Sequence, residues 1–174
     1  MAVLPIIIAP DPRLTVICEP VTEVTDEIAG LMSNLLETMY LAPGMGLAAP
    51  QVGVNKRIIV VDSAPRDSEP QPFKMANPEL VRVSDDTKLF EEGCLSFPEH
   101  YAEVIRPCEI TVRYLDETNT QREIEAEDLL ATCIQHEMDH LDGVLFVDHI
   151  SALKRNIILR KLTKSKKRIA VAAE

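Results

Sequence analysis

Apolar positions along this chain change their period several times, and each change marks an element. Ile28, Leu31, Met32, Leu35, Leu36 and Met39 recur at i, i+3, i+4, i+7, i+8 and i+11, the stripe of a helix with one buried face. Thr25 supplies a side-chain cap, Asp26 and Glu27 stand at the positive end of the helix dipole, and Pro43-Gly44 ends the run. Residues 57–62 are a short β-rich stretch that predicts a buried strand, followed by a polar loop with Pro65, Pro70 and Pro72. Further strands are predicted at 77–83, 87–92, 101–105 and 109–116. In the last of these Ile110, Val112 and Tyr114 alternate with Thr111, Arg113 and Leu115, giving one covered and one mostly wet face. Residues 121–126 pair back across a turn at 116–120 as a hairpin. Glu127 and Asp128 open a second helix that runs to Leu141 and closes at Gly143. From Ser151 onward, Leu153, Ile157, Ile158, Leu162 and Ile169 space out a third helix with lysines and arginines between them. Crossover βαβ units are absent, so the order predicts an α+β fold.

At 174 residues, with 46% hydrophobic and 26% charged positions, the chain has the composition of an ordinary globular protein, and residues 1–174 are expected to form a single domain. The longest apolar stretch, residues 2–9, is interrupted by Pro5 and is far short of the ~20 residues that a membrane span needs. It lacks the basic flank and cleavage site of a presequence, which makes the cytoplasm the expected location. The net charge of −10 is unevenly spread: residues 1–150 carry 10 basic and 27 acidic side chains, whereas 151–174 carry 8 basic and 1 acidic. An acidic body repels nucleic acid and gives no reason to expect DNA as a partner, while the basic C-terminal helix is suited to dock on RNA. Four cysteines, Cys18, Cys94, Cys108 and Cys133, are too few for a disulfide scaffold.

Chemistry concentrates in the second predicted helix, where His136-Glu137-Met138-Asp139-His140 forms an HExxH pattern. Four residues advance a helix by a little over one turn, so both imidazoles stand on one face and can grip one metal ion. Glu137 is close enough to exchange a proton with water at that ion. Leu129, Leu130, Cys133, Ile134 and Leu141 make this an inward-facing helix, in which unpartnered imidazoles would be costly. A catalytic site of this kind needs a third protein ligand. Phe146 stands where an extended protease motif would place a third histidine, and Glu174 is the only glutamate after Glu137. Asp142 and Asp148 suit a helix end and a following strand, and His100 and His149 suit the surface, so the third ligand should come from upstream. Cys94 is the best-placed candidate, because Gly93 lets the backbone approach closely and a thiolate is a strong soft ligand. A buried-core role fits any of the four cysteines, so the residues alone leave this choice open. The small-residue segment 44–53 suits close backbone approach, and Gln51 within it could donate to a developing oxyanion.

Gly44-Met45-Gly46-Leu47-Ala48-Ala49-Pro50-Gln51, Glu92-Gly93-Cys94-Leu95-Ser96 and Gln135-His136-Glu137-Met138-Asp139-His140 together resemble the three motifs of peptide deformylases, in order and separation. The likeness runs from Pro10-Asp11-Pro12-Arg13-Leu14 into the C-terminal helix, as in the bacterial type. It implies antiparallel β-sheets packed around a central HExxH-bearing helix, with N-terminal and C-terminal helices. The implied metal ligands are Cys94, His136 and His140, holding one Fe²⁺ that Zn²⁺ or Ni²⁺ can replace. The implied reaction removes the N-formyl group from the initiator methionine of nascent polypeptides and releases formate. Metal-bound hydroxide attacks, Glu137 acts as general acid/base, and the Gln51 side chain and Leu95 backbone N–H receive the oxyanion. Phe90, Leu129, Cys133 and His136 are the implied methionine pocket, and Gly44 and Gly46 the strand along which the peptide lies. A C-terminal helix such as residues 151–174 is implicated in ribosome binding in bacterial deformylases. Where several bacterial members carry a basic residue after the cysteine motif, this chain has Pro98-Glu99-His100-Tyr101.

Overall fold

The computed structural model describes residues 2–65 and 67–172. The first helix, α1 (Asp26–Leu41), starts as its cap requires, with Thr25 Oγ1 accepting from the Ile28 N–H. Seven strands follow: β1 (Gly46–Ala48), β2 (Ile58–Val61), β3 (Phe73–Val83), β4 (Thr87–Gly93), β5 (Tyr101–Pro107), β6 (Glu109–Leu115) and β7 (Gln121–Glu127). The helices α2 (Asp128–Leu141) and α3 (Ala152–Ala172) complete the order. Short 3₁₀ turns occupy Pro12–Thr15, Ala49–Val52 and Phe146–His149, so Asp148 lies in a turn and not in the strand expected for it. The burial expected of Ile169 and the last two positions of the basic tail, 173–174, lie outside the described residues.

Among the described residues the seven strands pair antiparallel, and one isolated parallel bridge joins Glu19 to Lys56. Five strands form one sheet in the order β1-β2-β3-β6-β7, and β4 with β5 forms a separate two-stranded sheet. The four residues of β2 are fully buried because helices cover both faces of the large sheet. Ile58 and Val60 pack with Met32, Leu35 and Met39 of α1, while Ile59 and Val61 pack with Ile134, Met138 and Leu141 of α2. Each such side chain contributes about 1.5–3 kcal/mol by leaving water. That double coverage explains why β2 is a continuous apolar run, and it also overturns the wet face expected on β6, where Thr111 is buried and Arg113 and Leu115 are half-buried. A third cluster joins the small sheet to α3 through Phe97, Val104, Phe146, Val147 and Leu162. Gly143 closes α2 in the left-handed conformation (φ +71°), and a Cβ there would collide with the carbonyl of Thr15.

Two further expectations change. β3 begins at Phe73, before the predicted start at 77, because Asn77 is a kink inside the strand and not its beginning. Asn77 has φ 49°, a conformation asparagine tolerates, and the register slips between Ala76 and Glu79. Its side chain instead pairs with Val21, accepting from that residue's N–H and donating to its carbonyl, each at 2.7 Å. The second change is β1, a strand made from the small-residue segment and paired along Gly46↔Val61 to Ala48↔Ile59.

The β6–β7 turn is organised by Asp116. One of its carboxylate oxygens accepts from the Thr118 N–H and hydroxyl and the Thr120 N–H, and the other accepts from Arg122 Nε. The hydroxyl of Thr118 first, then Arg122 and the backbone donors, hold this carboxyl well below the usual carboxylate range. A folded-state pKa below the unfolded value means that the contribution is complete above about pH 4 and fades as pH falls towards the folded value. Asp116→Ala is expected to lower unfolding free energy by about 1–3 kcal/mol at pH 7 in urea titrations. The gap from the parent protein should narrow below pH ~4; a gap independent of pH would contradict this role.

Candidate metal centre

Helix α2 carries its chemistry on the side turned from solvent. His136, Glu137 and His140 are buried, and the two imidazoles, one turn apart, meet edge to face with ring centroids 5.2 Å apart. Cys94 lies just past the end of β4, where the small sheet runs against α2. One ligand-type atom each from Cys94, His136 and His140 lies within 4.8 Å of the others, and Cys94 Sγ is 3.3 Å from His140 Nε2. The three residues singled out from the sequence are therefore brought together from two distant segments.

The orientation of His136 is set by its other nitrogen. A carboxylate only accepts, so His136 Nδ1–H donates to Glu92 Oε2 at 2.8 Å, leaving the Nε2 lone pair for a cation. Glu92 is in turn held by Arg106, which donates from Nε to Oε1 and from Nη2 to Oε2. Arg106 also donates from Nη1 to Asp139 Oδ2 at 2.9 Å. Burial works to raise the Glu92 carboxyl, but the bonds to His136 and Arg106 outweigh it and bring the pKa to about 2. Burial likewise works against a charge on His136, yet Cys94 and Glu92 turn the balance and raise its proton affinity. The same negative neighbours favour any cation at that nitrogen. His140 is shifted the opposite way, first by burial and then by His136, and so stays neutral as a ligand must.

Gln51, on the 3₁₀ turn after β1, reaches the same place. Its Oε1 accepts from the Ala48 N–H at 2.8 Å, and its Nε2 donates to Ser96 Oγ at 3.1 Å and to Cys94 Sγ at 3.4 Å. Gly46 of β1 lies against Glu137 so closely that a Cβ would stand 2.7 Å from the carboxyl carbon, so only glycine leaves room for this side chain. Burial raises the Glu137 carboxyl to about 7. Glu137 Oε2 and His140 Nδ1 are buried without a hydrogen-bond partner among the described residues. One sulfur and two imidazole nitrogens, with a buried carboxylate oxygen unmatched beside them, form a donor set that fits a divalent transition metal.

A family model described as polypeptide deformylase matches residues 3–156. The chain belongs to the peptide deformylase family. The peptide deformylase of Rhizobium meliloti (strain 1021) is 51% identical over 167 residues, 96% of each chain. Among solved structures, peptide deformylase from Ehrlichia chaffeensis superposes with a TM-score of 0.92 at 36% identity, covering 97% of this chain and 99% of that one. A peptide deformylase from Legionella pneumophila gives 0.88 at 44% identity, covering 97% and 98%. The expected α+β architecture is thus that of solved deformylases, and family membership makes the chain a metal-dependent hydrolase. Among the described residues, no helix is long and apolar enough to cross a membrane.

The remaining deformylase-type positions are more scattered. Leu129, Cys133 and His136 share one face of α2, with Leu129 38% exposed in the first turn and Cys133 buried in the core beneath the sheet. Burial raises the Cys133 thiol to about 12, so it stays protonated. Phe90 is half-buried on β4 opposite Val104, with the Lys88 ammonium 5.2 Å above its ring. Leu95 is half-buried and packs towards Gly44, where an added Cβ would meet Leu95 Cδ1 at 2.8 Å. Glu92, Arg106 and Asp139 were absent from the residues singled out by sequence, although Glu92 and Asp139 stand inside two of the quoted motifs. For Glu92 and Arg106 the signal is a charge at an inward strand position, visible only once strand pairing is known, and for Asp139 it is contact with that buried guanidinium. Glu92→Ala would strand a buried guanidinium with Asp139 alone and is expected to destabilise the fold by about 3–5 kcal/mol in urea titrations; a loss under ~1 kcal/mol would contradict the network's importance.

Proposed function

We propose that Cys94, His136 and His140 hold one divalent metal ion and that this centre removes the formyl group from N-formyl-methionyl nascent peptides, releasing formate. The convergence of these donors beside the unmatched oxygen of Glu137 carries the reading. Fe²⁺ is the proposed native ion, with Zn²⁺ or Ni²⁺ able to replace it, as the resemblance implies and a mixed sulfur–nitrogen set allows. Bound there, the ion supplies Lewis acidity and makes hydroxide available near neutral pH. Glu137 takes a proton from the attacking water and returns it to the departing amine nitrogen, a task suited to its buried, unpartnered Oε2. Attack on the formyl carbon creates an oxyanion, for which the Gln51 amide and the Leu95 backbone N–H are the donors. Gln51 already spends its two N–H groups on Ser96 and Cys94. The longer bond to sulfur is the weaker one and is exchanged for the oxyanion.

Gly46 crowds the Glu137 side of the centre, which favours an acyl group no larger than formyl. The peptide lies along Gly44 and Gly46 at the edge strand β1, where unpaired backbone groups can accept a further strand. Its methionine side chain faces Phe90, Leu129, Cys133 and the His136 ring. Residues 1–174 act as one catalytic domain in the cytoplasm. The basic α3 docks on ribosomal RNA through its exposed lysines and arginines while Ile158, Leu159 and Leu162 anchor it to the body.

Glu137→Ala is expected to retain its metal and its fold while losing about 10²–10⁴-fold in kcat on a formyl-methionyl tripeptide. The parent protein should act on that tripeptide and leave its acetylated counterpart intact. Equal rates on both, or an active Glu137→Ala variant, would overturn the reading.

A further inference from the structure

The turn Phe146–His149 touches the centre at two points, and neither is used by the mechanism above. Phe146 stacks on the His136 ring at a centroid distance of 6.1 Å and an interplanar angle of 27°, and meets Phe97 edge to face at 5.1 Å. Three residues on, His149 lies 2.7 Å from Asp139 Oδ2 through its Nε2. Because the carboxylate can only accept, Nε2 carries the proton. The same oxygen accepts from Arg106 Nη1, and Arg106 grips Glu92, whose other bond orients His136. An unbroken line of hydrogen bonds therefore runs from the surface to the ring: His149, Asp139, Arg106, Glu92, His136. Side-chain exposure falls along it from 35% at His149 and 25% at Asp139 to 6% at Arg106 and 4% at Glu92.

Such a line differs from an ordinary surface ion pair, which contributes little. Arg106 divides three donor atoms between two carboxylates, so its position depends on both anchors. Glu92 is immobilised by burial and by its two-point grip. Asp139 borders solvent, and among the described residues only Arg106 and His149 bond its carboxylate. Without His149 this carboxylate is free to turn towards water, and the guanidinium loses its second fixed point. The turn itself is held by side-chain hydrogen bonds. Asp148 caps it by accepting from the Leu145 N–H, and Arg155 of α3 holds Asp148 at 2.8 Å.

We propose that His149 is a positioning residue for the metal centre, anchoring Asp139 and, through Arg106 and Glu92, fixing the ring of His136. The inference rests on the reading of Cys94, His136 and His140 as ligands. It assigns work to a histidine that looks like a surface residue from the sequence, and it makes the Phe146–His149 turn a clamp. Phe146 bears on the face of the ring, and His149 acts on its Nδ1 edge at a distance.

The test uses the full chain loaded with Co²⁺, whose visible absorption reports ligand geometry. His149→Ala should shift the visible bands and weaken Co²⁺ binding, measured by chelator competition, by about 3–10-fold, less than the 10–100-fold typical of a direct partner of a ligand. It should also lower kcat on a formyl-methionyl tripeptide with KM unchanged, while circular dichroism stays that of the parent. His149→Gln, whose side-chain N–H can reach the place of Nε2–H, should restore all three. A His149→Ala protein with the parent's spectrum and Co²⁺ affinity overturns the inference, as does a His149→Gln protein no better than His149→Ala. A parent chain that takes up no Co²⁺ overturns the ligand reading itself, and the inference with it.

Discussion

Two imidazoles and a carboxyl buried on one helix face must find partners inside the protein, and much of this architecture supplies them. The hydrogen bond from His136 to Glu92 is the pivotal contact, because it joins α2 to the small β4–β5 sheet and sets which nitrogen of His136 is left for a cation. Glu92 can stay ionised in that interior because His136 donates to it and Arg106 neutralises it through two bonds. The remaining loose ends, Glu137 Oε2 and His140 Nδ1, mark where this satisfaction stops. Leaving polar atoms unmatched is unfavourable in a core and characteristic of a reacting site.

The two sheets divide the labour. The large sheet, clamped between α1 and α2, fixes the axis and rotation of the helix that carries His136, Glu137 and His140. The small sheet brings Cys94 and Glu92 to that helix from the other side, and its register, with Glu92 opposite Ala102 and Arg106 opposite Lys88, puts both on one face, where the long side chains reach each other. The edge strand β1 then closes the site, with Gly46 against Glu137 and Gln51 just beyond it. Each element supplies one part, and none can form the centre alone.

Much of this was legible in the residues. The apolar stripe of α1 with its Thr25 cap, the hairpin at Asp116 and the span of α2 all follow local rules, and local rules hold where propensity, pattern and burial agree. HExxH was legible because helix geometry alone places its imidazoles together. Cys94 could be preferred among four cysteines but needed the resemblance to be chosen. β1 was hidden because Gly46, Leu47 and Ala48 have little strand propensity and are held by pairing with β2. Asn77-Pro78 read as a strand start because a kink and a boundary look alike in sequence. Glu92, Arg106 and Asp139 were hidden for a third reason. A charged residue on a strand or helix reads as solvated until the fold shows what covers it, and β4 and β5 carry charges on both faces among their apolar residues.

The central claim is that one sulfur and two imidazole nitrogens grip a single ion. X-ray absorption at the metal edge of the Zn²⁺-loaded chain reads that donor set directly. The account predicts one metal per chain, with one sulfur at about 2.3 Å and two nitrogens at about 2.0–2.1 Å. A nitrogen-and-oxygen shell without sulfur, or a sulfur that persists when Cys94 is replaced by serine, would contradict it.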